Sequence, residues 1–340
     1  MENTVENMTE ILRGADMLAE VRKALSTCAM IVTDNNVKAL YPDLCAGAYV
    51  IAAGEKNKTP ETLLAVLKAM RDKSLTRCDR VAALGGGVVG DITGLAAALY
   101  MRGIKWISIP TSLLALVDAG IGGKTGVDFC GEKNLIGAFH APETAILSYN
   151  FTDTLPEREV RCGIGEIVKT CLLTKASCEE LFSQADMLHA RSRDTLYSFI
   201  DTCVDIKIAV VSADPEENGL RRILNVGHTV GHALESADGF VLPHGEYVLK
   251  GIAAECAMFP ELVEKSFFER LMRVVRMFVS PPKTSSGSVL RFALRDKKNA
   301  ARRSITIMLP VSPGVVTAVE VCSDEFKSRY EHALRTLKSV

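Results

Sequence analysis

A chain of 340 residues with 48% hydrophobic and 24% charged side chains is long enough for two ordinary domains, and its composition excludes a disordered or fibrous protein. The formal net charge of −1 supplies no electrostatic drive toward nucleic acid or an anionic membrane, so neither is expected as a partner and any anion binding must come from local basic pockets. Residues Met1 to Glu10 are polar and acidic rather than a secretory apolar core, and no apolar run is long enough to cross a bilayer. Ten cysteines scattered from Cys28 to Cys322 without a C-x-x-C pair read as reduced core thiols, and the protein is expected in the cytoplasm.

In chain order, Met8 to Leu25 reads as a helix. Short β-branched runs follow at Ala29–Thr33, Ala48–Ala52, Val81–Leu84 and Trp106–Ile109, alternating with helical stretches, as in a parallel sheet with helices on its faces. Pro60 to Arg71 carries Leu63, Leu64, Val66, Leu67 and Met70 at helical spacing, and Leu95 to Met101 reads as an apolar helix interior. From about Leu155 the pattern changes to long helices at Glu166–Leu173, Thr195–Val211, Tyr247–Phe259 and Phe267–Met277. Little strand signal returns before Ser304–Leu309, and Ser280 to Gly287 reads as a loop. The expected fold is α/β plus α: a Rossmann-like parallel-sheet domain over residues 1–154, then a mostly α-helical domain over residues 155–340, with the binding cleft between them.

Asn225-Val-Gly-His-Thr-Val-Gly-His232, with His244-Gly-Glu246 shortly after, packs three of the six histidines into seventeen residues. On a helix, His228 and His232 project from one face and form a candidate metal site; two histidines that merely share a face are the alternative. Glu166 and Lys169, at i, i+3 in an otherwise apolar stretch, add a carboxylate and an amine where unpaired charge is costly. Gly85-Gly-Gly-Val-Val-Gly-Asp91 satisfies G-x-G-x-x-G, which lets a backbone approach a pyrophosphate at a helix start, but tight packing alone also uses such turns. Asp34, closing a strand, suits either a ribose hydroxyl or a helix N-cap. Val117 to Asp128 is a second glycine-rich element that holds Lys124, with Lys133 and Asn134 following in the same loop. Its Gly-Lys-Thr is not a nucleotide-triphosphate P-loop, because Asp118 stands where the first glycine is required.

Taken together, Pro110–Asp118, Gly122–Gly126, Lys133–His140, Leu155–Arg158, Gly165–Lys169 and Leu224–His232 resemble, in order and spacing, the 3-dehydroquinate synthase family of sugar-phosphate cyclases, over about Asp34 to Lys298. The resemblance implies an NAD-binding domain, a helical domain holding a divalent metal (zinc or cobalt), and a homodimer. Metal ligands would be Glu166, His228 and His244, with His232 moved to the substrate side. Contacts to NAD would come from Asp34, Gly54, Glu55, Lys58, Gly87, Val88, Val89, Gly90, Asp91, Thr111, Ser112, Asp118, Lys124, Lys133, Phe151, Thr152 and Thr154. Those to the sugar-phosphate substrate, a small molecule, would come from Lys124, Asn134, Lys169, Lys207, Arg221, Asn225, His232 and Lys297 or Lys298, with Arg102 reaching across from the partner subunit.

The implied reaction turns 3-deoxy-D-arabino-heptulosonate 7-phosphate into 3-dehydroquinate and phosphate by transient oxidation with NAD, phosphate elimination, re-reduction and intramolecular aldol closure, a step of the shikimate pathway. Physically, Lys124, Lys169, Lys207 and Arg221 suit a substrate bearing a carboxylate and a phosphate. The chain departs from the family pattern in opening with a helix rather than a strand hairpin, and at Ala53, Ser112, Asp128 and Glu132.

Overall fold

The computed structural model describes residues 9–294 and 304–339. The chain divides into two compact units, Met1–Pro156 and Glu157–Val340. Unit 1 comprises β1 (Glu10–Gly14), α1 (Leu18–Ser26), β2 (Met30–Asp34), α2 (Asn35–Leu40), β3 (Tyr49–Ile51), α3 (Pro60–Asp72), β4 (Arg80–Gly85), α4 (Gly87–Leu99), β5 (Lys105–Pro110), β6 (Lys124–Phe129), β7 (Glu132–Phe139) and β8 (Thr144–Ser148). Unit 2 comprises α5 (Glu157–Cys171), α6 (Lys175–His189), α7 (Arg193–Ala213), α8 (His228–Ala237), α9 (His244–Met258), α10 (Lys265–Phe278), α11 (Ser286–Ala293), β9 (Ser304–Ser312), β10 (Val315–Cys322) and α12 (Ser323–Ser339). No described helix is long and apolar enough to cross a membrane.

Unit 1 is built on a six-stranded sheet of order β1-β8-β5-β4-β2-β3 in which every pairing is parallel. Its inner strands are apolar on both faces because helices cover both. On β4 the alternation sends Val81 and Ala83 into one core with α3 and α4, and Ala82 and Leu84 into the other with Val21 and Leu25 of α1. This is the expected α/β architecture, and the mostly helical unit 2 follows it.

Three local expectations are corrected. Glu10 to Gly14 is not helical: it forms β1 and pairs in register with β8, Ile11 opposite Ala145 and Leu12 opposite Ile146. Helix-forming residues there are overridden by a distant strand edge that needs a partner, and the helix begins only at Leu18. The segment from Lys124 to Lys133 is not a loop but the antiparallel hairpin β6–β7, turned by Cys130 (φ 52°) and Gly131 (φ 79°). Positive φ at both turn positions matches the twist of the flanking strands. Helix α4 stops at Leu99, and Met101, Arg102 and Gly103 all take positive φ.

In unit 2, α9 is buried from Gly245 through Met258 except at Lys250, and acts as the axis on which α5 and α8 pack. Glycines set the approach. A Cβ on Gly165 of α5 would overlap the Gly245 carbonyl, one on Gly245 the Cys162 carbonyl, and one on Gly251 the Gly227 carbonyl. Backbone therefore meets backbone at both contacts. Gly251→Ala is expected to cost about 3 kcal/mol or more of stability, whereas Gly287→Ala, with open space around it, should be close to neutral; thermal unfolding of the two variants checks this.

Candidate active site

Three helices of unit 2 carry the residues that the motifs singled out. Glu166 sits within α5, His228 opens α8 and His244 opens α9. Glu166 is fully buried, and its Oε1 lies 3.5 Å from His228 Nε2 and 3.3 Å from His244 Nε2. Lys169, one turn along α5 and itself buried, places Nζ 2.6 Å from Oε2 of the same carboxylate. One turn after His228, the more exposed His232 adds a third imidazole, and ring nitrogens of His228, His232 and His244 all lie within 4.8 Å of one another.

The far nitrogen of each of the two partly buried imidazoles, His228 and His244, is already committed. His228 Nδ1 lies 3.0 Å from the Val226 carbonyl and His244 Nδ1 lies 3.2 Å from Glu235 Oε2. Both partners only accept, so Nδ1 carries a proton in each ring; His228 Nε2 keeps its lone pair toward Glu166, and His244 Nε2 presents one once its second proton has left. Neither oxygen of Glu166 has a well-aligned hydrogen bond, although Lys169 offsets the charge. Glu166 Oε1, His228 Nε2 and, once deprotonated, His244 Nε2 thus turn toward one point that favours a cation, whether a proton or a metal ion. A carboxylate and two imidazoles, the latter braced from behind, fit a divalent ion such as zinc or cobalt with positions left for a substrate.

The electrostatics agree. Burial opposes charge on Glu166, but Lys169, His228 and His244 outweigh it and hold the carboxyl well below the usual carboxylate range. Burial, with Lys169 and His244, pushes His228 down to about 4. Burial also works against the charged form of His244, yet Glu166 and Glu235 lift it to about 9. A proton on His244 therefore competes with a metal ion for the same lone pair.

The anion-binding candidates of unit 2 are held by their surroundings. Arg221 is buried, donates from Nη1 to the Pro215 carbonyl at 2.6 Å, and is placed by Asp214, whose carboxylate accepts from the backbone N–H groups of Asn218, Gly219 and Arg221. Those amides hold the Asp214 carboxyl below its ordinary value. Lys207 is buried on α7, which packs on the turn carrying Arg221. Asn225 donates to Glu217 Oε1 at 3.1 Å. Lys297 and Lys298 lie outside the described residues.

In unit 1 the glycine turn after β4 opens α4, and Gly86 caps that helix without any side chain, which leaves its first amides for an outside acceptor. Gly85, Gly86, Gly87 and Gly90 line a pocket with Ser108 and Pro110 at the ends of β4 and β5, where ligands of open α/β sheets bind. Thr111 and Ser112 follow β5, and Asp118 lies in the next helical turn. Beside the pocket's helix, the Lys58 ammonium lies 2.5 Å from Asp91 and 2.5 Å from Asn134 Oδ1, and the Asn134 N–H donates to Asp128 at 2.8 Å. Burial disfavours charge on Lys58, but Asp91 and Glu55 raise its pKa. Glu55 also approaches Lys133, at 3.9 Å.

Some candidates are placed differently from what a direct side-chain contact requires. Asp34 Oδ1 caps α2 by accepting from Asn36 and Val37 N–H, the alternative that the sequence left open. Val89 and Phe151 are core side chains, so only their backbone is available to a ligand. Thr152 bonds to the Tyr149 carbonyl, and Thr154 shares a 2.7 Å hydrogen bond with Tyr41. Gly54 takes φ 100°, and Arg102 and Lys124 are exposed. Sequence reading missed Glu235 and Asp214. Glu235 was within reach: it stands seven residues after His228, on the same face of α8.

A family model described as 3-dehydroquinate synthase N-terminal matches residues 48–162, and one described as 3-dehydroquinate synthase C-terminal matches residues 163–299. The chain belongs to the 3-dehydroquinate synthase family. It is 39% identical over 260 residues to the 3-dehydroquinate synthase of Ruminiclostridium cellulolyticum, covering 73% of this chain and 72% of that one. To the 3-dehydroquinate synthase of Symbiobacterium thermophilum it is 37% identical over 350 aligned residues, covering 95% and 97%. Among solved structures it resembles the 2-epi-5-epi-valiolone synthase of Streptomyces hygroscopicus subsp. jinggangensis 5008, with NAD+ and Zn2+ bound, at TM-score 0.87 and 30% identity, covering 100% of this chain and 99% of that one. The membership read from the motifs holds, and with it the sugar-phosphate cyclase fold.

Two outcomes follow for the cation point. Apparent zinc affinity should fall as pH drops below about 9, by about tenfold per pH unit while one proton is displaced per ion; titration with a competing chelator at several pH values reads the slope. Glu235→Gln should weaken zinc binding by roughly 10- to 100-fold, the usual effect of removing a carboxylate behind a histidine ligand, with little change in thermal midpoint.

Proposed function

We propose that this protein is a phosphate-eliminating carbon–oxygen lyase, a 3-dehydroquinate synthase acting on 3-deoxy-D-arabino-heptulosonate 7-phosphate within the shikimate pathway. The observation that carries the reading is the meeting of Glu166 Oε1 with two imidazole Nε2 atoms beside buried Lys169. Support comes from family membership and from the NAD+ and Zn2+ bound by the valiolone synthase that this chain resembles.

In this reading Glu166, His228 and His244 hold zinc or cobalt, and unit 1 binds NAD along the glycine turn and the loops carrying Asp34, Gly54 to Lys58, Thr111 to Asp118, Lys124, Lys133 and Phe151 to Thr154. When bound, the ion acidifies a coordinated hydroxyl and NAD supplies reversible hydride transfer at the same carbon. The chain's own groups do the rest. Lys169, Lys207 and Arg221 neutralise the carboxylate and phosphate of the substrate in surroundings where hydration no longer does so, and the exposed Lys124 adds a positive charge. Asn134, Asn225 and His232 orient hydroxyls and move protons, and Lys297 or Lys298 adds a further cation. Arg102 serves the site of the partner subunit in a cytoplasmic homodimer.

The deciding assay incubates the protein with the heptulosonate phosphate, divalent metal and a trace of NAD. Phosphate and a cyclic product should appear with no accumulation of NADH; stoichiometric NADH would instead mark a polyol dehydrogenase on the same fold. His244→Ala should lose metal and turnover together, and full metal stoichiometry in that variant would remove His244 from the ligand set. Arg102→Ala in one chain of a mixed dimer should impair the other chain's site.

A further inference from the structure

Helix α8 carries His228 and His232, yet it has no capping side chain of its own. Its N-cap is Gly227, in the left-handed region at φ 75° and ψ −7°. A side chain cannot stand there, because a Cβ on Gly227 would press on Ile252 Cγ1 and on the Val248 carbonyl of α9. The first amides of α8 are satisfied instead from α9. Glu255 accepts from Gly227 N–H through Oε2 and from Val230 N–H through Oε1, each at 2.9 Å, and the Thr229 amide acts on the same carboxyl.

Glu255 is fully buried, and these partners are all backbone. A buried carboxyl is a costly way to cap a helix if capping is all that is needed. Its position on α9 gives the reason. Glu255 is eleven residues after His244 and four after Gly251, so the three share one stripe of α9. That stripe faces α8, with Gly251 at the point of backbone contact. The opposite end of the pair repeats the device. Glu235, near the end of α8, reaches His244 Nδ1 in the first turn of α9, which also lacks a side-chain cap. Each helix thus gives a carboxyl group to the N-terminal turn of the other, that of Glu255 being pushed up to about 8 by burial, and the first residue of each helix is an imidazole aimed at Glu166.

We infer that Glu255 is a positioning residue for the metal centre: by gripping Gly227 and Val230 N–H it fixes the register of α8 along α9, and so the separation of His228 from His244. The inference rests on the metal reading of Glu166, His228 and His244. Helix caps ordinarily affect stability alone. A register device must also change the ion's surroundings.

Cobalt(II) titration of the full-length protein, followed by visible absorption, separates these roles. Glu255→Met keeps length and apolar packing but removes both acceptors, and is expected to weaken cobalt binding at least tenfold and to alter the ligand-field bands. Glu255→Gln, which keeps one acceptor, should fall between Met and wild type. Leu271→Ala, a truncation of a buried α10 side chain, should lower the thermal midpoint and leave cobalt affinity and spectrum as in wild type. Wild-type affinity and bands in folded Glu255→Met, or in Glu255→Gln should the Met variant not fold, would overturn the inference while leaving the metal reading intact. Failure of the wild-type protein to bind cobalt would overturn both.

Discussion

One oxygen atom, Oε1 of Glu166, organises the second unit. Two imidazole nitrogens, Nε2 of His228 and of His244, stand within 3.5 Å of this fully buried carboxylate. Such an arrangement favours positive charge, which Lys169 supplies from the other side of the carboxylate and which either a proton on His244 or a metal ion can supply at the imidazoles. The neighbouring polar groups divide around this fact. Val226 and Glu235 fix the protons of the imidazoles on their far nitrogens, while Asp214 holds the turn that bears Arg221. The chemistry proposed for the protein is the use of that unresolved attraction for a cation.

Bringing the three groups together is a matter of backbone distance. Side chains between α5 and α9, or between α8 and α9, would hold the helices farther apart than a carboxylate and an imidazole can bridge. The absence of Cβ atoms at Gly165, Gly245, Gly227 and Gly251 removes that spacing. Unit 1 uses glycine differently. At Gly86 a Cβ would press on Ser112 and at Gly87 it would touch Ala119, whereas at Gly90, in the first turn of α4, it would meet open space. The same residue type therefore draws helices together in unit 2 and leaves helix-start amides uncovered by side chains in unit 1.

Much of this was legible in the chain, for physical reasons that also explain what was not. The α/β alternation, the shift to helices near residue 155, and the Glu166/Lys169 and His228/His232 spacings are local patterns, and local patterns survive folding. Strand β1 was misread because Glu10 to Gly14 adopts extended structure only through β8, more than 130 residues away. The β6–β7 hairpin was hidden by glycines that resemble a loop, and its turn rests on an unusual positive φ at Cys130. Which residues would surround Glu166 depended on α5 meeting α9 through Gly165 and Gly245, a contact with no local signature. Glu255 was invisible for the same reason: within Ala-Ala-Glu-Cys it reads as an ordinary helical glutamate, and only the proximity of Gly227 gives it work.

The exchange of carboxyl groups between α8 and α9 bears on what holds these helices when the cation point is empty. In small zinc domains the ion is the keystone, and removing it unfolds the chain. Here the helix ends are tied to each other by bonds that contain no ion, and the surrounding core is apolar and continuous through α9. The scaffold is thus assembled before its charge is balanced. A chain tied in this way is expected to keep its fold with the cation point empty, so loss of an ion would be a local event rather than an unfolding one.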